Sequence, residues 1–229
     1  MLYLLENFYY RFVPRLSFQV IRRYVARMDH LFVLDVGCGN RSPSLFKRYF
    51  PNCIYIGLDR ETDYNLTPED KACMDHFILM DLNHPEWERL PNGEYDLITL
   101  IHVIEHIPNG EEVLFHLWQK LKPGGYLYIE TPSERSLYLP SMPGTLNFFD
   151  DPTHIRLYTP TELANHLLRL GARIHRIRIA RNYRRLLFLP VIFIFHLLFK
   201  GTIKRGVLWW DLTGFAYYIL AQKPLKTPG

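Results

Sequence analysis

Asp35, Asp59 and Asp81 stand at or just past the ends of three short apolar runs, residues 31–36, 53–58 and 76–80. The first acid opens the turn Asp35-Val-Gly37-Cys38-Gly39-Asn40, and glycines in such a turn let a ligand approach the backbone where a side chain would block it. Asp59 closes Gly57-Leu-Asp59, twenty residues past Gly39, where a carboxylate can accept both hydroxyls of a ribose. A dinucleotide turn would read G-x-G-x-x-G, but Ser42 holds the third place after Gly39, so the phosphate-binding turn is missing. Three acids together would repel a phosphate and suit a nucleoside that carries a positive centre. Taken singly, each is an ordinary turn or cap residue; their joint placement carries the inference.

A second constellation, His102-Val-Ile-Glu105-His106, fits the H-x-x-E-H pattern of a zinc peptidase class. Zinc needs both histidines on one face of a settled helix and a further protein ligand. His102 instead follows directly from an apolar run, and no metal is assigned. Glu105 and His106 are expected to cap or brace the helix that follows, and His102, nearer the end of the run, to touch substrate.

The elements that must position these residues are legible. Apolar runs at 31–36, 53–58, 76–80, 95–100 and 125–129 alternate with helical stretches, clearest at 42–49 and 109–121. Strands alternating with helices imply right-handed crossovers and a parallel sheet covered on both faces, with ligands in the crevice at the carboxyl ends of the strands. A long loop, 131–158, leads to a helix with Thr159 as N-cap, Pro160 in the first turn and Glu162 at the capping-box position; Gly171 ends it. Strands at 173–180 and 215–221 follow. The expected fold is α/β, Rossmann-like and doubly wound: a mostly parallel seven-stranded sheet with an antiparallel C-terminal hairpin strand. Residues 1–28, carrying Arg11, Arg15, Arg22, Arg23 and Arg27, read as a helical lead-in broken at Pro14. Residues 29–229 form the main domain, with an apolar insertion at about 181–213.

Composition narrows the classes. With 229 residues, 48% apolar and 22% charged, the chain can build one continuous core, and disorder is excluded. A formal charge of +4 is too small to argue for nucleic acid, and the arginines cluster beside apolar residues instead of forming a polar stripe; no nucleic-acid partner is expected. Cys38, Cys53 and Cys73 make neither an even framework nor a CxxC pair. Glu6 and Arg11 interrupt the apolar N-terminus before any cleavage site. A cytoplasmic location is the expectation.

Leu34-Asp-Val-Gly-Cys-Gly-Asn40, Ile56-Gly-Leu-Asp59, Asp81-Leu82, the stretch from Tyr95 to Ile107 and Leu121-Lys-Pro-Gly-Gly-Tyr-Leu127 resemble, in order and spacing, the successive motifs of class I S-adenosylmethionine-dependent methyltransferases. The resemblance is to the subgroup that includes ubiquinone-biosynthesis and small-molecule O-methyltransferases. It covers residues 31–131 and extends weakly to Asp151-Pro-Thr-His154 and Tyr158-Thr-Pro-Thr-Glu162. It implies S-adenosylmethionine as cofactor, with Asp35, Gly37, Cys38 and Gly39 at the methionine moiety. It also implies Asp59 at the ribose, Asp81 with Leu82 at the adenine, and His102 near the transferring methyl, with Arg60 among the cofactor-binding residues. Arg41 departs from the pattern, which has a small residue there, often glycine. A stiffer turn and weaker cofactor binding would follow, and with them a rival reading: a degenerate, non-catalytic member serving as an interaction module.

Displacement at a sulfonium requires donor and acceptor in line, and an oxygen acceptor adds the need for a base. His102 and His154 have the right intrinsic range; for His154 the other reading is an anchor for the Asp150-Asp-Pro152 loop. Glu130 and Tyr158 are expected at the same mouth. The acceptor expected is a small or lipid-like molecule, methylated at oxygen.

Residues 186–199 are almost wholly apolar, flanked by Arg181, Arg184 and Arg185 before and Lys200, Lys204 and Arg205 after. The run falls short of the roughly twenty residues that span a bilayer. Two readings stand. One is a helix packed on the sheet or on a second subunit of a homodimer. The other is a helix in the interface of an anionic membrane, with Trp209 and Trp210 as interfacial rings, which would make a lipid-linked acceptor plausible.

Overall fold

In the short apolar runs side chains alternate between two faces, and both faces are covered. Val33, Tyr55, Leu97 and Tyr128 join one core and Leu34, Val36, Ile98 and Leu127 the other, the period-two pattern of strands buried on both sides. The computed structural model describes residues 14–26, 28, 30–142, 144–187, 190 and 206–225. Seven strands form one sheet: β1 (Phe32–Val36), β2 (Ile54–Asp59), β3 (His76–Leu79), β4 (Tyr95–Ile101), β5 (Leu121–Pro132), β6 (Arg173–Ile179) and β7 (Ala216–Gln222), in the order β3-β2-β1-β4-β5-β7-β6. The first five run parallel; β7 lies antiparallel between β5 and β6. The strand order reverses direction at β1 and β4, whose carboxyl ends therefore border the crevice of this fold class.

Helices α1 (Leu16–Val25) and α2 (Ser42–Tyr49) belong to the first face. Phe18 of α1 stacks on Tyr49 at 4.8 Å and meets Phe46 edge-on at 4.9 Å, while Arg22 and Arg23 stay exposed. Removing a ring as buried as that of Phe18 costs about 3–5 kcal/mol, so α1 is part of the core's closure. Helices α4 (Gly110–Lys120) and α5 (Pro160–Arg169) cover the other face through Val113, Leu117, Leu163 and Leu167. α5 starts as its residues require: the Thr159 hydroxyl accepts the Glu162 amide at 3.1 Å, and Gly171, at φ +80°, follows its end.

Helix α3 (Pro68–Cys73) has no apolar stripe for periodicity to find. It is set by Thr67 and Asp70, which cap each other reciprocally. β5 begins four residues before the apolar run, because Leu121 pairs with Tyr95 across a register shift that accommodates Lys-Pro-Gly-Gly. Among the described residues of the insertion stand two short helices, α6 (Tyr183–Leu187) and α7 (Gly206–Thr213), joined by a buried ion pair between Arg185 and Asp211 at 2.8 Å. Arg185 is thus committed inside the protein and is not one of the headgroup-facing cations that the insertion reading assumed. Of the run 186–199, only Leu186, Leu187 and Pro190 are described; the rest, with Arg11, Lys200, Lys204 and Arg205, lies outside the described residues.

Candidate active site at the strand ends

The turn after β1 is shaped by tight packing. Gly37 has φ +73°, and a Cβ there would collide with Val103. A Cβ at Gly39 would come within 2.6 Å of the Tyr64 ring and 2.8 Å of its carbonyl. Asn40 and Arg41 continue at φ 54° and 63°, in the left-handed region that costs a side-chain-bearing residue about 1–2 kcal/mol. The strain lets α2 start directly at Ser42.

Asp35 lies beneath this turn, 2% exposed. Hydroxyls of Ser42, Tyr55 and Thr99 donate to its carboxylate at 2.5, 2.6 and 2.5 Å. Burial pushes its pKa up, and the three donors partly oppose that shift. Its oxygens thus tie together the start of α2, β2 and β4, and Asp35 supports the turn from below. Cys38 is also fully buried, its sulfur against Gly57; burial, with the charges of Asp35 and Asp59, raises its thiol pKa.

Asp59 reaches the turn from the side, its Oδ2 accepting the Gly39 amide at 3.3 Å. Arg60 points outward, within 3.4 Å of Glu61. Asp81 is exposed and accepts the Asn83 amide at 2.9 Å, with Leu82 buried beside it. The structure therefore gathers Gly37, Gly39 and Asp59 around one turn and sets Asp81 at the end of the neighbouring strand.

His102 follows β4 in a left-handed conformation, φ 55°, held by its amide on the Glu130 carbonyl at 2.8 Å. Its neighbour Val103 is the residue packed on Gly37, so the imidazole belongs to the glycine turn's surroundings. Nδ1 lies 3.1 Å from Glu105 Oε1, and Nε2 lies 3.9 Å from Glu130 Oε1. Glu105 is fully buried and also accepts the Thr131 hydroxyl at 2.9 Å. Burial by itself would lower the His102 pKa, but the hydrogen bond to Glu105 and the charges of Glu105 and Glu130 outweigh it and raise it. Burial likewise opposes ionisation of Glu105, and His102 overcomes it, leaving the carboxyl below its ordinary value. Trp210 sits 5.0 Å from the His102 ring and stacks on Phe215 at 4.6 Å.

Several expectations change here. Glu105 and His106 do not cap α4: Glu105 holds His102, and His106 Nδ1 faces the Thr153 carbonyl at 3.0 Å. Tyr158 is not at the mouth; it is fully buried, accepting the Gly110 amide at 2.8 Å and donating to the Ile107 carbonyl at 2.7 Å. Glu130 does lie beside His102. His154 has a side chain only 5% exposed, with Nδ1 2.6 Å from the Phe148 carbonyl and Nε2 3.9 Å from Asp151, the geometry of a loop anchor. Trp210 turns inward, its Nε1 donating to the Thr145 carbonyl, and is a wall of the site instead of an interfacial ring.

Ligand atoms of Glu105, His106 and His154 lie within 4.8 Å of one another. The carboxylate in that cluster already serves His102 and Thr131, so a cation there would compete with the contact that orients His102. Sequence reasoning missed Glu105's role, although the three-residue spacing from His102 was its signal. Trp210 and Phe215 gave none, since they reach the site from more than a hundred residues away.

A doubly wound sheet with a glycine turn at β1, an acid at the end of β2 and no phosphate cradle defines a nucleoside-binding α/β domain. The family model described as methyltransferase domain matches residues 9–177, and the chain belongs to that family, the class I S-adenosylmethionine-dependent methyltransferases. The mitochondrial ubiquinone biosynthesis O-methyltransferase of Saccharomyces cerevisiae is 32% identical over 104 residues, 43% of this chain and 33% of that protein; the match spans a third of the relative's length. A SAM-dependent methyltransferase from Archaeoglobus fulgidus superposes with a TM-score of 0.57 at 23% identity, covering 91% of this chain and 93% of that one. The [4+2]-cyclase SpnF gives 0.60 at 15% identity, covering 91% and 80%. Both show the shared fold. No helix among the described residues is long and apolar enough to cross a membrane.

Proposed function

We propose that the chain transfers a methyl group from S-adenosylmethionine to an oxygen of a small or lipid-like acceptor, with His102 as the base and Glu105 as its positioning residue. The Glu105–His102 pair beside the glycine turn carries this reading. Gly37 and Gly39 offer backbone to the methionine moiety, Asp59 meets the ribose hydroxyls, and Asp81 with Leu82 borders the adenine. Asp35 and Cys38 act through the shape of the turn, Arg60 lies at its rim, and His154 anchors the loop. S-adenosylmethionine supplies an electrophilic methyl on a positively charged sulfur.

A carboxylate on Nδ1 keeps that nitrogen protonated and leaves Nε2 as the acceptor of a proton. With S-adenosylmethionine bound, its sulfonium would supply the methyl group and leave as the neutral thioether, and the part of this chain's own residues would be to take the acceptor hydroxyl's proton at His102 Nε2. The Trp210–Phe215 stack would give a planar or apolar acceptor a surface next to that nitrogen. Oxygen is favoured by the yeast relative's name. The test is S-adenosylhomocysteine release with a panel of phenols, carboxylates and amines. His102→Ala should lower turnover on the hydroxyl acceptor by about 10²–10⁴-fold with KM for S-adenosylmethionine little changed; unchanged turnover removes the base assignment.

The non-catalytic reading rests on Arg41 and on a fold that also serves a cyclase. Calorimetric titration with S-adenosylmethionine tests it, and absence of binding to the folded chain favours it.

A further inference from the structure

A groove of about 340 Å³ lies between α1 and α6, lined by Phe18 and Tyr49 at its floor and by Arg22, Arg23 and Arg184. None of its lining residues belongs to the strand-end site. All three arginines are exposed, and among the described residues none has a carboxylate within 4.0 Å. Lys47, Lys71 and Lys122, by contrast, are paired with Asp75, Asp63 and Asp96. The walls are also fixed in place. Asn182, buried just before α6, donates to the Pro14 carbonyl at 2.8 Å and accepts from Gln19 of α1 at 3.2 Å. The groove is thus preformed, with three arginines lining it from two elements. Beside Arg184 on α6, Tyr183 and Leu187 are 73% and 78% exposed, large apolar side chains that nothing among the described residues covers.

Guanidinium groups grip phosphate oxygens through paired donors, and exposed aromatic and aliphatic side chains next to such cations are the composition of a helix seated in a bilayer interface. We propose that this face docks on a membrane surface bearing anionic phospholipid: Arg22, Arg23 and Arg184 take headgroup phosphates, and Tyr183 and Leu187 enter the acyl boundary. The surface is defined by described residues and does not depend on the reaction catalysed.

Co-sedimentation of the full chain with vesicles tests it. Pelleting is expected with phosphatidylcholine vesicles containing 30% phosphatidylglycerol, at low salt, and not with phosphatidylcholine alone. Each arginine near an anionic surface is worth roughly fivefold in partitioning, so Arg22→Gln/Arg23→Gln/Arg184→Gln should lower the partition coefficient on the order of 100-fold. Tyr183→Ser/Leu187→Ser should lower it by about tenfold while leaving its salt dependence intact. Unchanged binding of S-adenosylhomocysteine by both variants certifies their folding. Equal pelleting of wild type and triple variant overturns the proposal, as does equal pelleting on neutral vesicles. Saturable binding of inorganic phosphate without vesicle binding overturns it too, and gives the groove to a soluble phosphate ligand.

Discussion

Glu105 and His102 form a carboxylate–imidazole pair at 3.1 Å in which the acid is wholly buried and the imidazole a quarter exposed. Each stabilises the charged form of the other, so the His102 pKa rises above its ordinary 6.5 and that of Glu105 falls below its ordinary 4.5. If His102 is the base, turnover must climb with pH through that raised value. In Glu105→Gln the climb should shift to lower pH and the plateau should fall by about tenfold or more, read from a kcat/KM profile. A profile that keeps its position in Glu105→Gln contradicts the pairing.

The same pair has a stability signature. The raised His102 value contributes fully below 6.5 and is lost as pH rises through it; the lowered Glu105 value contributes above 4.5 and is lost as pH falls through it. The stability difference between wild type and Glu105→Gln should be largest between pH 4.5 and 6.5, at about 1–3 kcal/mol, and should shrink above that window. Urea unfolding across pH measures it.

Arg41 is exposed and already in the left-handed region, where glycine is at ease. Arg41→Gly should therefore stabilise the fold, by up to about 1 kcal/mol, and leave the affinity for S-adenosylhomocysteine within about threefold. A large gain in affinity would mean that the arginine itself restricts the cofactor, as the non-catalytic reading supposes.

Gly39→Ala places a methyl 2.8 Å from the Tyr64 carbonyl, a backbone atom that moves only with its loop. The turn must open, costing about 1–3 kcal/mol and displacing the Gly39 amide from Asp59. Thermal unfolding and cofactor titration should both report the loss; an unaltered affinity would show that the ligand does not use this turn.

Prolonged dialysis against a chelator should leave turnover unchanged, because the one carboxylate among Glu105, His106 and His154 is already engaged by His102 and Thr131. Activity lost on chelation and restored by a divalent cation would reassign Glu105 from His102 to a metal.

The individual strands, the glycine turn and the α5 cap were legible because each is written within a few consecutive residues: the apolar run 31–36, Gly37 and Gly39, Thr159 and Glu162. The partners of Asp35 were not. Ser42, Tyr55 and Thr99 become its neighbours only when β1, β2 and β4 align in register, with Asp35 opposite Gly57 and Thr99. His154 shows the same limit from the other side. Its intrinsic range suits a base, but its position against Phe148 and Asp151 depends on a loop fold with no periodicity to read. Trp210 read as an interfacial ring because it follows an apolar run, whereas the Arg185–Asp211 pair, formed across 26 residues, helps hold α7 where Trp210 meets Phe215.

The central claim, a sulfonium-nucleoside site built on Gly37, Gly39 and Asp59, is tested most directly by calorimetric titration with S-adenosylhomocysteine. Saturable binding at one site is predicted, with at least about tenfold weaker affinity in Asp59→Ala, since removing a charged hydrogen-bond acceptor costs about 1.5–3 kcal/mol. No binding to the folded wild-type chain, or binding of equal strength in Asp59→Ala, would contradict it.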